Sequence, residues 1–377
     1  MYNNRIKKIL IIMPSLKSGG AEKVLIDILN ELSPSKFNIS LLILYKEGVY
    51  LDKIPQYIKT IFIHKTTFIF KVCRAIFTRL NMMYIFQIMN KKRIKKAIDC
   101  QYDSIISFME GESVVCHSWI NGYSNNNITW VHIDLKKNHW SLKYFLNKKQ
   151  EAECYSKMTK IVFVSEDAKK AFEDLYKIDT IKTVIYNFID KESIIEKSKI
   201  QLYKKEKFTI CTVGRLHHQK RYDRLLHVAK RLLDEGYEID FIILGIGPEE
   251  RRIKAMSMNL RINNSVHFLG FQDNPYPYIK NSDIYLSTSE SEGLPLVICE
   301  AMCLGIPIVA TNITGHKELL GESLYGLIVN EDYDSIYHGL KKIIDNTNLR
   351  LYYTKKSQER SFLFNTQKTM NKIYEIV

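Results

Sequence analysis

The chain of 377 residues predicts an α/β protein built from two parallel-sheet domains. Its length exceeds one ordinary domain and suits two of about 180 residues each. Short β-rich runs alternate with amphipathic stretches, the pattern of βα units on parallel sheets. That alternation starts afresh near residue 208, after a polar, lysine-rich stretch at 193–207 with no periodic apolar face. This stretch is the natural linker. An apolar fraction of 46% is enough for two cores.

In the first half, residues 8–14 read as a strand, 21–32 as a helix and 38–45 as a strand. Further strands follow at 104–108, 128–132 and 160–164, and 183–186 closes the half. Ile9 to Met13, behind Lys7 and Lys8, mimics the start of a signal peptide. The run ends at Pro14 and lacks a cleavage site, so strand one is the better reading. The second half gives strands at 208–213, 239–244, 266–269, 283–288, 307–310 and 326–329. Helices are expected at 222–234 and 335–344, and a last one at 364–377. No run approaches 18 apolar residues, so no membrane span is expected.

The net charge of +14 points to an anionic partner: nucleic acid, acidic membrane or a phosphorylated substrate. No helix-turn-helix, zinc or RNA-module motif supports nucleic acid, and no such partner is expected. Seven scattered cysteines, with no C-x-x-C, suit a reduced, cytoplasmic setting. Between Asp52 and Asp99 there is no acidic residue, and those 46 positions hold eleven Lys and Arg. Aromatics and methionines are interleaved, among them Phe68, Phe70, Phe77, Met82, Met83 and Phe86. Such a stretch fits an interfacial helix on anionic lipid, and an ordinary charged face over a core-facing stripe equally well. Anionic-membrane attachment through residues 53–98 is the expectation drawn from it.

Two loops carry the chemistry. The run from Ser289 to Met302 leaves an apolar strand, turns at Gly293 and enters a helix with Pro295 in its first turn, where a missing N–H costs nothing. Glu292 sits in the loop, and Glu300 lies eight positions on, inside the helix. The N–H groups around Gly293, Leu294 and Leu296 form a positive helix end suited to phosphate. Earlier, Gly214-Arg215-Leu216-His217-His218-Gln219-Lys220-Arg221 follows a strand directly, at the end where open parallel sheets bind ligands. There Arg215 offers a planar fork and Lys220 a mobile charge.

The spacing from Glu292 to Glu300 resembles the E-x7-E signature of family 4 retaining glycosyltransferases. The residues around Arg215 and Lys220 are similar to that family's G-R-L-x-x-x-K-G segment, with Arg221 where glycine is usual. Residues 303–310 and Thr314-Gly315 resemble the family's next strand and loop, and Gly245-Ile246-Gly247-Pro248 its turn near the nucleobase. A plain strand-to-helix turn explains those last glycines as well. Gly19-Gly20-Ala21-Glu22 resembles the family's first phosphate-facing loop, with Gly19 and Gly20 near the donor. His132, at a strand's end, matches a histidine often found near the sugars.

The resemblance implies the GT-B fold: two Rossmann-like parallel-sheet domains facing a central cleft. It implies an acceptor domain at 1–195, a nucleotide-sugar donor domain at 205–360 and a last segment, 361–377, packing back on the first. Glu292 would contact the hexose and Glu300 the ribose. Arg215, Lys220 and the helix end would neutralise the leaving nucleoside diphosphate, with His132 orienting sugar or acceptor. Catalytic roles are therefore expected of Glu292, Arg215, Lys220 and His132.

The reaction expected is retaining hexose transfer from a nucleoside-diphosphate sugar to a lipid-linked glycan, as in capsule or lipooligosaccharide assembly at the inner face of the membrane. No cofactor and no metal are expected. Asp332-Tyr333-Asp334 has the D-x-D pattern of metal-dependent transferases, and is read instead as a helix cap. A sugar-nucleotide epimerase on the same scaffold is the alternative enzyme. A membrane- or nucleic-acid-binding protein without catalysis is the alternative class.

Overall fold

A computed structural model describes residues 5–17, 19–200 and 205–377. Residues 1–4, Ser18, which precedes the Gly19-Gly20 pair, and 201–204, within the expected linker, lie outside them. The chain divides into two compact units: 1–188 with 367–377, and 189–366.

The first unit is a seven-stranded parallel sheet in the order β3-β2-β1-β4-β5-β6-β7. Its strands are β1 (Lys7–Met13), β2 (Phe37–Tyr45), β3 (Lys59–His64), β4 (Ser104–Ser107), β5 (Asn127–Val131), β6 (Lys160–Phe163) and β7 (Ile181–Val184). Helices α1 (Gly20–Glu31), α2 (Phe68–Arg79), α3 (Met83–Ala97), α4 (Glu112–Ile120), α5 (Lys148–Tyr155) and α6 (Glu166–Leu175) connect them. The central strands read as unbroken apolar runs because both faces are covered. Residues 9–13 of β1 are fully buried, so the run behind Lys7 and Lys8 is sheet core.

Strand β3 falls inside the basic stretch, where no strand is expected from the residue pattern. It is only partly buried and forms the sheet edge, so it lacks the dense apolar run of its neighbours. A lysine at such an edge also guards against pairing with another chain.

The second unit is a six-stranded parallel sheet in the order β10-β9-β8-β11-β12-β13. The strands are β8 (Phe208–Val213), β9 (Ile239–Leu244), β10 (Val266–Gly270), β11 (Ile284–Ser287), β12 (Ile308–Thr311) and β13 (Leu327–Val329). Its helices are α7 (Lys191–Lys197), α8 (Tyr222–Asp234), α9 (Glu250–Asn259), α10 (Tyr276–Lys280), α11 (Leu296–Cys303), α12 (Thr314–Leu320), α13 (Tyr333–Asp345) and α14 (Thr347–Ser361). Part of the expected linker is thus helical. Asp190 caps α7 by accepting the Ser193 N–H at 2.9 Å, and Ile194 is buried; a seven-residue helix is too short to show a period in sequence.

The last helix, α15 (Thr366–Ile376), packs on the first unit. Tyr374 stacks on Phe37 at 5.7 Å and donates its hydroxyl to the Glu31 carbonyl at 3.1 Å. The Asn126 amide donates to the Ile376 carbonyl at 2.8 Å.

Candidate functional site

In each sheet the strand order reverses beside the first strand of the unit, between β1 and β4 and between β8 and β11. Loops leaving the carboxyl ends of such a pair diverge and open a crevice. The two loops singled out in the second half leave β8 and β11, so they flank this point.

The structure stitches these loops together. The Thr288 hydroxyl donates to the Lys220 carbonyl at 2.9 Å, and the Glu290 N–H to the Gln219 carbonyl at 2.9 Å. The Gln219 amide reaches the Ser291 carbonyl at 2.5 Å. The result brings Lys220 Nζ to 2.6 Å from Glu292 Oε1, with the side chains 21% and 13% exposed. Burial alone would raise the Glu292 carboxyl. The Lys220 ammonium, His316 and the Ser289 hydroxyl, which donates at 2.8 Å, outweigh that and hold it below the usual carboxylate range.

Lys220 folds back over Gly214: a Cβ there would lie 3.2 Å from Lys220 Cε and from the Tyr222 hydroxyl. Arg215 is exposed and has no ion-pair partner among the described residues. Arg221 takes the left-handed conformation that glycine adopts freely (φ 49°, ψ 47°). Its guanidinium pairs with Asp223 at 2.9 Å and Glu290 at 3.4 Å. The departure from glycine therefore preserves the loop's path and ties its charge to neighbouring carboxylates.

Gly245 and Gly247 are explained by close approach. A Cβ on Gly245 would lie 2.0 Å from the Gly214 carbonyl oxygen, and one on Gly247 2.2 Å from that of Leu216.

Helix α11 begins at Leu296, and Pro295 is its N-cap in extended conformation, one position before the first turn where the sequence reading put it. Pro295 supplies its carbonyl to Ile298 and Cys299. The N–H groups of Leu296 and Val297 precede the helix's own ladder. Glu300 is buried in α11, and the Tyr276 hydroxyl donates to it at 3.4 Å. Gly214, Arg215, Lys220, Glu292, Gly293, Leu294 and Pro295 thus belong to the segments that leave β8 and β11, and Leu296 and Glu300 to α11, which follows β11.

Gly19, Gly20 and His132 belong to the first unit. Gly19 is the N-cap of α1 and Gly20 its first residue. A Cβ on Gly19 would collide with the Glu22 carboxylate at 2.2 Å. His132 follows β5. Its backbone N–H donates to Glu110 Oε2 at 3.0 Å, and its ring lies 5.1 Å from Phe108. Nε2 is buried with no hydrogen-bond partner among the described residues. Burial pushes the imidazole down to about 4, against a backbone bond at Phe108, so it is neutral at pH 7.

Sequence reasoning missed the support around Glu292. His316 is fully buried; its Nδ1–H donates to the Thr311 carbonyl at 2.7 Å, and Nε2 lies 3.1 Å from the Ser287 hydroxyl. Thr311 in turn donates to the Ser289 carbonyl at 2.5 Å. The only signal was polar residues closing the apolar runs of β11 and β12. Gly315, noted in the sequence, approaches the Glu292–Gly293 backbone so closely that a Cβ would lie 2.5 Å from the Gly293 carbonyl.

Asp332 accepts the Ser335 N–H at 2.7 Å and caps α13. No cluster of three His, Cys, Asp or Glu side chains suited to a metal occurs among the described residues.

Residues 193–360 match the family of glycosyl transferases group 1. An uncharacterized glycosyltransferase of Haemophilus influenzae is 33% identical over 201 residues, 53% of this chain and 55% of that protein. A Campylobacter jejuni N-acetylgalactosaminyltransferase named for a diphospho-undecaprenol substrate is 31% identical over 208 residues, 54% of this chain and 56% of that protein. The chain thus spans little more than half the length of these curated relatives. Among solved structures, Anabaena HepE in complex with UDP and glucose is similar over 98% of both chains, with TM-score 0.77 and 19% identity. A mutant of S. aureus TarM, in complex with fondaparinux, alpha-GlcNAc-glycerol and UDP, reaches TM-score 0.75 at 13% identity, over 98% of this chain and 99% of that one. The fold is GT-B, with two Rossmann-like parallel-sheet domains, and the stretch that is similar to the group 1 glycosyl transferases lies within its second unit.

Proposed function

We propose that the chain is a retaining glycosyltransferase moving a hexose from a nucleoside-diphosphate sugar to a lipid-linked glycan. The observation that carries this reading is the Lys220–Glu292 pair at 2.6 Å, set beside the start of α11 at the point where the second sheet reverses its order. A buried, charged carboxylate accepts hydroxyls of a sugar. The adjacent ammonium, the free fork of Arg215 and the Leu296–Val297 N–H groups meet the charge that develops on a departing diphosphate. Pre-organised donors of this kind contribute several kcal/mol to the transition state, on the order of 3–4 for a single donor.

Glu300 holds the nucleoside ribose in this scheme. His132, neutral and with Nε2 unpartnered, accepts a hydroxyl of sugar or acceptor. Three cationic or N–H groups already face the diphosphate, so the reaction proceeds without a metal ion.

The lipid-linked acceptor rests on relatives. The Campylobacter jejuni enzyme and an Escherichia coli galactosyltransferase, 27% identical over 237 residues, are both named for undecaprenol-diphosphate-linked sugars. Work of this kind belongs to bacterial surface-polysaccharide assembly, capsule included. It puts the protein on the cytoplasmic face of the cell membrane, held there peripherally.

The test is to incubate the full chain with UDP-, GDP- and ADP-sugars, with and without a polyprenyl-diphosphate sugar, in excess chelator. Nucleoside diphosphate release that depends on acceptor, with the product's anomeric configuration kept, is the expected result. An epimerised nucleotide sugar formed without acceptor would assign the chain to the epimerases. Activity lost in chelator and restored by magnesium or manganese would return the metal to the mechanism.

A further inference from the structure

Helix α2 is amphipathic the wrong way round for a helix covering a sheet. None of its twelve residues is buried. Its inner face is Phe70, Arg74 and Phe77, each partly covered. The anchor among them is the arginine: Arg74 lies 3.8 Å over the Tyr45 ring, 3.2 Å from Glu47 and 3.8 Å from the buried Glu112. The larger apolar set faces water. Phe68 is 81% exposed and Ile69 73%, and Val72, Ile76 and Leu80 continue the stripe.

Helix α3 prolongs it with Ile85, Ile88 and Met89, all exposed, over an inner face of Met83, Phe86 and Ile94 that is buried. Scattered exposed apolar side chains are ordinary, whereas a continuous patch marks a surface that something covers. Nine of the 23 exposed large apolar side chains described fall within residues 68–89.

What borders the patch identifies its occupant. Lys71 and Arg79 stand on α2 among the apolar residues, and Lys92, Lys95 and Lys96 are exposed at the end of α3. No carboxylate occurs between Asp52 and Asp99. Exposed apolar side chains interspersed with cations, on a segment that has no carboxylate of its own, match acyl chains beneath anionic headgroups. A second copy of the same face would instead set like charges against each other.

We infer that α2 and the first half of α3 insert their outer apolar faces into the headgroup–acyl boundary of an anionic bilayer, with the lysines of α3 resting on its phosphates. This deepens, and rests on, the peripheral membrane attachment proposed above. It changes which residues do the work. Phe70, Phe77, Met83 and Phe86, which belong to the aromatic series read in the sequence, belong to the inner face and the core cluster. Hydrophobic insertion on α2 is added to charge attraction.

The two contributions separate by salt, because at about 1 M the Debye length shrinks to about 3 Å and leaves insertion in place. The experiment is co-sedimentation of the full chain with vesicles of phosphatidylglycerol and phosphatidylethanolamine in equal parts, at low and high salt. It compares the parent, an Ile69→Ser/Val72→Ser/Ile76→Ser variant and a Lys92→Gln/Lys95→Gln/Lys96→Gln variant. The parent should keep part of its binding at high salt. The serine variant should lose that part, by about tenfold or more, and the glutamine variant should lose mainly the low-salt part.

Serine and parent proteins binding alike at high salt would overturn the insertion. So would a concentration-dependent dimer of the parent, seen by sedimentation velocity and abolished by the serines. A parent that binds no vesicle at any salt would remove the membrane reading as a whole. Nucleoside diphosphate release, measured on the same preparations with a soluble acceptor, tests the transferase reading separately.

Discussion

Burial acts on a carboxylate in each unit, and the two respond in opposite directions. Glu110, at the end of β4, is raised above the ordinary carboxylate range by burial, although the His132 and Trp140 N–H groups offset part of that. Glu292, just past β11, is buried too, yet is held below the range because Lys220 stands 2.6 Å away. Between these two carboxylates the difference is the close Lys220 ammonium, since both are buried. In the second unit the sheet's end keeps an ion ready for a polar ligand. In the first, a carboxyl raised by burial accepts the His132 and Trp140 N–H groups and ties the segments after β4 and β5 together.

The largest effect should come from removing the cation that makes the difference. Lys220→Met leaves Glu292 buried without its partner. Loss of one member of a buried pair costs about 3 kcal/mol, read as a lower midpoint in urea denaturation. Donor turnover should fall by about 100-fold or more. A Lys220→Met/Glu292→Gln double variant should be more stable than the sum of the single losses. Strict additivity would mean that the two side chains do not act as a pair.

Next in size is Glu300→Ala. Loss of a hydrogen bond between a charged group and a hydroxyl costs about 1.5–3 kcal/mol. Donor KM should therefore rise at least tenfold. An unchanged KM would take Glu300 out of the donor site.

The contrast itself is read from pH. The Glu292 carboxyl is held lower in the folded chain than in the unfolded one. Its contribution to stability is full above the ordinary carboxylate range and is lost as pH falls through the folded value. Glu110 runs the other way: its contribution is full below that range and is lost as pH rises through its raised value. The stability gap between parent and Glu292→Gln should therefore narrow on acidification. The parent should gain on Glu110→Gln over the same change. Parallel curves for the two variants, by denaturation from pH 7 down to about 2, well below the ordinary carboxylate range, would contradict the comparison.

The smallest effect is at Asp332. Removing its cap by Asp332→Ala should cost about 1 kcal/mol of stability and leave turnover unchanged. A loss of turnover without loss of stability would revive the D-x-D reading.

Much of the second unit was legible because its signals are local. The bounds of β8, α8 and β9 agree with the expected ranges to the residue, since two apolar-rich strands and an amphipathic helix between them are each ended by a loop glycine or a charge cluster. The Glu292–Lys220 meeting was legible as two loops and not as a contact, because only the parallel order of β8 and β11 brings residues 72 positions apart together. The His316–Thr311–Ser289 support was hidden for the same reason: it joins the ends of β11 and β12 with the start of α12. In the basic stretch the periodicity left two faces open. Apolar residues lie on both faces of α2, so spacing did not tell which face turns inward, and the anchor proved to be Arg74. Strand β3 stayed hidden because its partly buried residues do not form a dense apolar run.

The central claim is that the strand ends of the second unit bind a nucleoside diphosphate. Calorimetric titration of UDP, GDP and ADP, in chelator, into the parent and into Arg215→Ala tests it most directly. Arg215 is exposed and has no ion-pair partner among the described residues, so its removal leaves the fold intact. The account expects the parent to bind at least one of the three without metal, and the variant to bind it about tenfold or more weakly. A parent that binds none of them, or a variant that binds as tightly as the parent, would contradict it.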